Sequence, residues 1–258
     1  MGKHVHLTLR HQAVMSNIRL LHPDYEYLFF DDAKVAAFID NEFPQYREVF
    51  DSFLFPIQQC DLFRYLAIFH YGGFYFDLDV LLASCLSPLL RQSCVFPFEA
   101  LTVSHFMRQT LKMDWQIGNY AFGAVPGHPF IEAIIGNCIK AWRDPSWVKP
   151  MMRGSPPLVK DEFFVINSTG PGLVSRTLAE NRSLASTVTV LFPDDVCDRT
   201  NWHHFGDYGI HLSEGFWRRK RSVVSYKITN YCWRCMTQWR LRESRKLGKS
   251  RCHPCEAN

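Results

Sequence analysis

The chain has 258 residues, enough for one large domain or for a domain with an appendage, and its 47% of hydrophobic residues is typical of a globular protein. No uninterrupted apolar stretch of about 18 residues occurs, so a transmembrane helix is not expected. The net charge of +4 conceals an asymmetry, because residues 218–258 carry 12 Lys and Arg against two Glu, whereas residues 1–217 carry 17 against 23 acidic residues. A mildly acidic body therefore precedes a strongly basic tail.

The N-terminal segment, MGKHVHLTLRHQ, lacks the apolar core of a signal peptide. Taken as a complete chain, the protein is expected in the cytoplasm, associated with the cytoplasmic face of a membrane. The alternative, for a chain that has lost an N-terminal anchor, is the Golgi lumen. Five of the nine cysteines stand singly in apolar contexts, which is typical of reduced core residues: Cys60, Cys85, Cys94, Cys138 and Cys197.

The first forty residues predict alternating strands and helices. Lys3–Leu9 and Tyr25–Phe30 are rich in β-forming residues, whereas His11–Leu21 has apolar residues at helical spacing. The aspartate pair at 31–32 offers an N-cap for a second helix over residues 33–41. Strand, helix, strand and helix in this order predict a parallel α/β sheet.

A longer helix is predicted over residues 57–71, where apolar residues recur on one face. Gly72-Gly73 ends this helix, because glycine tolerates the positive φ of a helix C-terminus. The aromatic run 74–76 then predicts a strand that leads into Asp77 and Asp79.

Later stretches predict elements of both kinds. Helices are expected over residues 130–142 and from Gly170-Pro171 to Glu180. Strand patterns occur at residues 94–98, 114–125, 163–166 and 188–192.

Asp77 and Asp79 stand inside an otherwise apolar run, FYFDLDVLL. On a strand, Leu78 would point away while both carboxylates point the same way. Two neighbouring carboxylates repel each other, so a positive group is expected between them, and hard divalent cations prefer such oxygen ligands. The run therefore predicts a divalent-cation site at a strand end.

Several motifs follow one another along the chain: Asp61-x-x-Arg64-Tyr65, Gly72-Gly73-x-Tyr75, Asp77-x-Asp79, Asn119, Pro126-Gly127-His128-Pro129, Gly170-Pro171 and the segment from His211 to Trp217. Their order resembles that in the DXD-sugar-binding glycosyltransferases, the family that includes the fungal initiating α-1,6-mannosyltransferase and resembles the clostridial glucosylating toxins. The likeness covers roughly residues 3–217 and is far more specific than a lone DxD. The chain departs from the family at Phe216, where a serine is usual, and in its N-terminal segment, which lacks the usual Trp.

The resemblance implies a GT-A fold over residues 1–217, that is, a nucleotide-binding α/β/α sandwich with a mixed, mainly parallel central sheet. Residues 218–258 would form a separate basic, cysteine-containing tail. The implied activity is transfer of a hexose from a UDP- or GDP-sugar to a hydroxyl of a glycan or lipid-linked acceptor. Mn²⁺ or Mg²⁺ would be required, and the anomeric configuration would be retained.

The resemblance also implies roles for individual residues. Asp77 and Asp79 would be the catalytic carboxylates, acting with the metal that neutralises the departing diphosphate. His211 would be a third metal ligand, and no enzyme nucleophile is assigned. The residues expected to bind the donor are Asp61, Arg64, Tyr65, Asp77, Asn119 and Trp217.

A rival enzyme class is the haloacid-dehalogenase phosphatases. FYFDLDVLL also fits their first motif, in which Asp77 would be the phosphorylated nucleophile and Asp79 the acid/base. VLFPDDVCD, residues 190–198, resembles their late acidic motif. That first motif normally lies on the first strand, however, and this interpretation leaves the other matched motifs unexplained.

The cysteines of the tail have the spacing of a structural Zn²⁺ site. They form two C-x2-C pairs separated by sixteen residues: Cys232 with Cys235, and Cys252 with Cys255. The basic, helix-prone segment between the pairs does not resemble a zinc ribbon, which argues against zinc.

Two other interpretations of the tail involve its positive charge. An amphipathic helix could lie on anionic lipid with Trp233, Met236 and Trp239 inserted, which suits an enzyme acting on membrane-proximal glycans. Alternatively, a non-catalytic scaffold resembling a glycosyltransferase could bind nucleic acid through the tail.

Overall fold

The computed structural model describes residues 7–212 and 223–246. The helices are α1 (Leu9–Leu21), α2 (Asp32–Glu42), α3 (Arg47–Ser52), α4 (Pro56–Tyr71), α5 (His105–Gln109), α6 (Pro129–Arg143), α7 (Lys160–Ser168), α8 (Pro171–Glu180), α9 (Arg182–Ala185) and α10 (Val223–Lys246). The strands are β1 (Gly73–Phe76), β2 (Val80–Leu82), β3 (Cys94–Leu101), β4 (Trp115–Ile117), β5 (Ala121–Ala124), β6 (Thr189–Leu191) and β7 (Gly209–His211).

The central sheet is mixed and mainly antiparallel. Its strands follow the order β1-β5-β3-β4, and β6 also pairs with β3. The β1–β5, β3–β5 and β3–β4 pairs are antiparallel, and among the described strands β3–β6 is the parallel pair. A separate antiparallel ladder joins β2 to β7. The prediction of a mainly parallel sheet is therefore wrong.

The chain connections explain this antiparallel arrangement. After the connection at 102–114, β4 and β5 run back along β3 as one interrupted strand, which needs no crossover helix. The parallel strand β6 is reached only after α6 to α9, as a parallel crossover requires. The strand–helix–strand unit predicted at the N-terminus does not form, because Tyr25–Phe30 is not a strand. Of the first predicted strand, residues 3–6 lie outside the described residues and Leu9 already belongs to α1.

Another predicted strand, residues 163–166, is the middle of helix α7. A short apolar run fits a buried strand and a buried helix equally well by periodicity alone. Asp161 and Glu162 lie in the first turn of α7, where negative charge stabilises a helix N-terminus. This local charge thus favours the helix, in which Phe163 and Val165 are buried.

Helix α4 runs through the interior and positions the candidate site. It packs against α6, β1 and β5, and every residue from Asp61 to Ile68 is buried. The neighbouring core includes Phe96 on β3 and Phe122 on β5, whose rings stack with centroids 4.8 Å apart. Because α4 is covered all round, its polar side chains are buried too and require hydrogen-bonding partners.

Helix α10 is docked on the body of the protein. The ring of Trp233, which we expected to insert into lipid, stacks on Phe163 of α7 with centroids 4.9 Å apart. Arg240 donates from Nε to the carbonyl of Thr102 at 3.0 Å.

The predicted domain boundary between residues 217 and 218 falls outside the described residues and stays a prediction. Within the described residues, no helix combines the length and apolar character needed to span a bilayer.

Candidate functional site

Asp77 and Asp79 lie on the turn between β1 and β2. β1 ends at Phe76, and the backbone N–H of Asp77 donates to the carbonyl of Tyr120 at 2.8 Å. The N–H of Val80 donates back to the carbonyl of Asp77 at 3.1 Å, which closes the turn. The two carboxylates are therefore brought together by a tight turn rather than by strand alternation.

His211 joins the two aspartates across the β2–β7 ladder. It pairs with Val80 in that ladder, so a residue far along the chain is held beside the turn. His211 Nε2 lies 3.2 Å from Asp79 Oδ1. One ligand atom from each of Asp77, Asp79 and His211 lies within 4.8 Å of the others. Two carboxylate oxygens and one imidazole nitrogen suit Mn²⁺ or Mg²⁺, so the three side chains fit the predicted metal site.

The environment of His211 favours its charged form. Burial lowers the pKa of His211, but the hydrogen bond to Asp79 and the negative charges of Asp79, Asp77 and Glu99 raise it more, so the net pKa is above its usual value. The imidazole also stacks on the ring of Tyr120, with centroids 4.3 Å apart. A proton or a cation thus has a favourable position among these groups.

Arg64 connects the turn to the interior of the protein. Its Nη1 lies 3.2 Å from Asp77 Oδ1, and its Nη2 lies 3.2 Å from Asp61 Oδ1. Nη1 also donates to the carbonyl of Asn119 at 2.6 Å. The Asp77 carboxylate accepts a second hydrogen bond, from the Tyr75 hydroxyl at 2.7 Å. Asp77 is thereby held in one orientation at the mouth of the site.

Asp61, Tyr65 and Asn119 complete a buried network behind Arg64. Asn119 Nδ2 donates to Asp61 Oδ1 at 3.0 Å and to the Tyr65 hydroxyl at 2.8 Å. Tyr65 in turn donates to the carbonyl of Thr169, whose own hydroxyl donates to Asp61 Oδ2, each at 2.8 Å. All the polar atoms named here have partners, so the network is well suited to fix Arg64.

Burial raises the pKa of Asp61 to about 6, although the positive charge of Arg64 and the hydrogen bonds from Thr169 and Asn119 oppose this rise. The side chains of Asp61 and Arg64 are each only 4% exposed. Both side chains therefore lie in the interior, and Arg64 also contacts the more exposed Asp77. Direct contact of Asp61, Arg64, Tyr65 or Asn119 with a donor stays a prediction.

Several predicted residues do not join this cluster or cannot be placed. Trp217, Phe216, Cys252 and Cys255 lie outside the described residues. Cys232 is half-buried and Cys235 is exposed on α10, so zinc binding stays a prediction.

In the late acidic segment, Asp195 accepts a hydrogen bond from the N–H of Cys197, and Asp198 accepts one from the N–H of Thr200. Within the described residues, neither belongs to the candidate metal cluster, which weakens the phosphatase interpretation.

Sequence reasoning overlooked three polar residues around the turn. Tyr75 is part of a predicted motif, but its contact with Asp77 was not predicted, and neither was the contact of Thr169 with Asp61. Tyr120 was not predicted, although it supports both Asp77 through its carbonyl and His211 through its ring. A signal for Tyr120 existed in its position next to Asn119, but its contacts depend on strand pairing.

Comparison with known proteins agrees with this geometry. Residues 9–96, which include the Asp61–Arg64 pair and the turn with both aspartates, match the family described as "Glycosyltransferase sugar-binding region containing DXD motif". A mannosyl phosphorylinositol ceramide synthase from Saccharomyces cerevisiae is 31% identical over 180 residues, 68% of this chain and 41% of that protein. Inositol phosphoceramide mannosyltransferase 2 from Schizosaccharomyces pombe is 36% identical over 120 residues, 46% of this chain and 31% of that protein.

A more distant relative is the initiation-specific α-1,6-mannosyltransferase of Schizosaccharomyces pombe, 24% identical over 60% of this chain and 40% of that protein. The chain thus spans about two fifths or less of the length of these curated relatives. Among solved structures, a PaToxG glycosyltransferase is 15% identical to this chain, and the alignment covers 69% of this chain and 58% of that one. Its TM-score of 0.34 is too low for a comparison of folds. The matched region contains both aspartates of the candidate metal site, and over residues 9–96 the chain is similar to the glycosyltransferases whose sugar-binding region contains a DXD motif.

Proposed function

We propose that this chain is a metal-dependent glycosyltransferase that moves a hexose from a nucleoside-diphosphate sugar to an acceptor hydroxyl. The observation that carries the proposal is the convergence of Asp77, Asp79 and His211 within 4.8 Å, from two distant parts of the chain. A buried network behind the turn supports it, because Arg64 and Tyr75 both hold the Asp77 carboxylate in place.

Asp77, Asp79 and His211 are the residues that would hold Mn²⁺ or Mg²⁺. When bound, the ion supplies positive charge that stabilises the nucleoside diphosphate as it leaves. Arg64 and Tyr75 fix the orientation of Asp77, and Asp79 is fixed by its contact with His211. This preorganisation reduces the cost of arranging the site when the donor binds.

We infer that Asp61, Tyr65 and Asn119 act mainly by positioning Arg64. Their side chains are buried, and their hydrogen bonds are directed to one another, to Arg64 and to Thr169. A donor would reach Arg64 from the side of Asp77, which is the more exposed of the two. Trp217 remains our proposed aromatic contact for the donor.

The names of the relatives suggest the donor sugar and the acceptor. One relative is named as a synthase of mannosyl phosphorylinositol ceramide, and another is named as an inositol phosphoceramide mannosyltransferase. We therefore infer that the hexose is mannose, carried by GDP or UDP, and that the acceptor is a polyol headgroup of a glycolipid. Retention of the anomeric configuration belongs to the same proposal.

A donor screen tests the proposed activity. The protein is incubated with Mn²⁺, a glycolipid acceptor and a panel of UDP- and GDP-sugars, and released nucleotide and glycosylated lipid are measured. We expect turnover with a mannose donor that is abolished by EDTA and by the double variant Asp77→Ala, Asp79→Ala. Asp207→Ala, which removes an exposed acid before β7, is the matched control.

Two results would contradict the proposal. Turnover that persists in the double variant or in EDTA would exclude metal-dependent transfer through these aspartates. Hydrolysis of simple phosphate esters, with no need for a sugar nucleotide, would favour the phosphatase interpretation instead. NMR analysis of the anomeric proton of the product would test retention separately.

We also infer a peripheral contact between α10 and an anionic membrane. Trp233 is engaged with Phe163, but Tyr231 and Trp239 are 69% and 53% exposed. The same helix exposes Arg234 and Arg242. Aromatic rings beside basic side chains are typical of helices that lie at a lipid headgroup layer.

A further inference from the structure

A second group of polar side chains adjoins His211 and has no part in the proposed metal site. It consists of Glu99, next to a break in the β3–β4 pairing, Tyr120, just before β5, and His203, in the connection before β7. His203 Nδ1 lies 3.2 Å from Glu99 Oε1, and we refer to these two residues as the Glu99–His203 pair. The backbone carbonyl of His203 accepts from the N–H of His211 at 2.8 Å, which ties the pair to a proposed metal ligand.

Three local backbone features bring this group together. The register of β3 against β4 shifts between Phe98 and Ala100, so Glu99 sits in a bulge, a feature that redirects side chains near active sites. His203 has a φ of 62°, in the left-handed region that non-glycine residues rarely adopt. A Cβ on Gly118 would lie 2.6 Å from Glu99 Oε2 and 2.5 Å from Tyr120 Cε1, so only glycine leaves room for these two side chains.

The hydroxyl of Tyr120 adds an independent observation. Tyr120 is 3% exposed, and its buried hydroxyl has no hydrogen-bond partner within the described residues. A buried hydroxyl without a partner costs on the order of 1–3 kcal/mol. Such a group is well placed to hydrogen-bond a ligand that enters beside it.

The Glu99–His203 pair is partly exposed to solvent. The side chains of His203 and Glu99 are 39% and 18% exposed. A carboxylate accepts hydrogen bonds from hydroxyl groups, and an imidazole can accept one or donate one, so the pair can hold two neighbouring hydroxyls at once. The negative charge of Glu99 repels phosphate, so the pair favours a neutral polyol over an anionic group.

We propose that the Glu99–His203 pair is the subsite that binds the polyol hydroxyls of the acceptor next to the metal site. The proposal rests on the proposed function, since it assigns the acceptor side of that same site. Both residues act by binding and orienting the acceptor, and the pair transfers no proton. The backbone hydrogen bond from His211 to His203 places the pair next to the proposed metal site.

The test compares Glu99→Ala and His203→Ala with the conservative variant Glu99→Gln, which retains hydrogen-bonding atoms at the same position. His204→Ala is the matched control, because His204 is a neighbouring half-buried histidine outside the group. Thermal unfolding checks that each variant is folded. The measurements are Mn²⁺-dependent donor binding by calorimetry, nucleotide release without acceptor, and KM and kcat for a glycolipid acceptor.

We expect each alanine variant to raise the acceptor KM about tenfold or more, because each removes one or two hydrogen bonds to the acceptor. Donor binding, nucleotide release to water and kcat should change much less, and Glu99→Gln should recover most of the acceptor affinity. An unchanged acceptor KM in both alanine variants would overturn the proposal. So would an equal loss of donor binding, because that would place the pair on the donor side.

A binding measurement separates this proposal from the proposed function. Saturation-transfer NMR with free myo-inositol as the probe reports polyol binding without turnover. If the wild-type protein shows no nucleotide release with any donor, the proposed function fails, but a myo-inositol signal lost in Glu99→Ala and kept in His204→Ala would still support the subsite. Absence of any myo-inositol signal, together with an unchanged acceptor KM, would overturn the subsite alone.

Discussion

At the scale of single residues, two titrating side chains determine how the site responds to pH. His211 lies among negative charges that raise its pKa above the usual value despite its burial. Asp61 lies in the interior, where burial raises its pKa to about 6 despite Arg64. The first effect would act on the proposed metal binding and the second on the free energy of unfolding, so the two can be measured separately.

Metal affinity should fall at low pH because of His211. The proton and the metal compete for Nε2, so the apparent affinity for Mn²⁺ is constant above the pKa of His211 and falls about tenfold per pH unit below it. We expect the midpoint above the usual histidine pKa of about 6.5. Calorimetric titration with Mn²⁺ from pH 8 to pH 5.5 measures this. His211→Gln should weaken binding and flatten this part of the profile, whereas an unchanged profile in that variant would contradict the assignment of His211 as a ligand.

Stability should depend on pH through Asp61. Because its pKa is higher in the folded than in the unfolded state, the folded protein binds more protons between about pH 4 and pH 6. The contribution of Asp61 to the free energy of unfolding therefore falls as pH rises through this window, by on the order of 3 kcal/mol. Urea unfolding of wild type and Asp61→Asn between pH 4.5 and pH 7 gives the difference. Parallel curves for the two proteins would show that Asp61 titrates normally.

At the scale of secondary-structure elements, the site depends on contacts between segments that are distant in sequence. The turn with both aspartates is presented by β1 and β2, while β7 delivers His211 opposite Val80. Helix α4 delivers Asp61 and Arg64 from behind. Helix α10 takes no part in the metal cluster but is attached to the connection after β3 through Arg240, Arg108 and Glu243.

Removing Arg240 should loosen α10. Its guanidinium is buried, donates to the Thr102 carbonyl and lies 3.4 Å from both Asp114 and Glu243. Arg240→Ala removes the donor to the Thr102 carbonyl and one of the cations beside Asp114 and Glu243, at a cost of about 3 kcal/mol. We expect faster amide hydrogen exchange throughout α10, measured by mass spectrometry. Arg242→Ala, an exposed arginine on the same helix, should leave the exchange unchanged. Equal exchange in both variants would show that apolar packing alone holds α10.

At the scale of the whole molecule, the charge is unevenly distributed. Residues 1–217 carry a net charge of −6 and residues 218–258 a net charge of +10. The docked α10 brings part of this positive charge against an acidic body, with exposed Tyr231 and Trp239 beside it. An enzyme that uses a lipid-borne acceptor would gain from such a surface, because membrane contact keeps the acceptor near the site.

Anionic vesicles test this orientation. Each arginine near an anionic surface contributes about 1 kcal/mol, so the double variant Arg234→Glu, Arg242→Glu should weaken binding to phosphatidylserine vesicles by at least tenfold. Cosedimentation at low and at high salt measures the effect. Arg182→Glu, an exposed site on α9, is the control. A salt-dependent shift with RNA or DNA and none with vesicles would instead support the nucleic-acid interpretation.

The sequence by itself determined the elements whose signals are local. Helix α4 begins and ends close to its predicted bounds because its apolar spacing, Pro56 and Gly72-Gly73 act within a few residues. The two aspartates were found for the same reason, since they interrupt an aromatic run. The order of motifs along the chain was enough to indicate the family.

Only the tertiary structure decided the features that depend on long-range pairing. The sense of the sheet follows from which strands meet, and β4 and β5 return along β3 without the crossover that a parallel sheet requires. Residues 163–166 are helical, with Phe163 and Val165 buried against the rest of the protein, and Trp233 stacks on Phe163 because α10 is docked there. The proximity of Glu99 to His203, and of His211 to Asp79, also arises only on folding. The physical reason is the same in each case: propensity and periodicity act over a few residues, whereas strand partners and burial are set by contacts between distant segments.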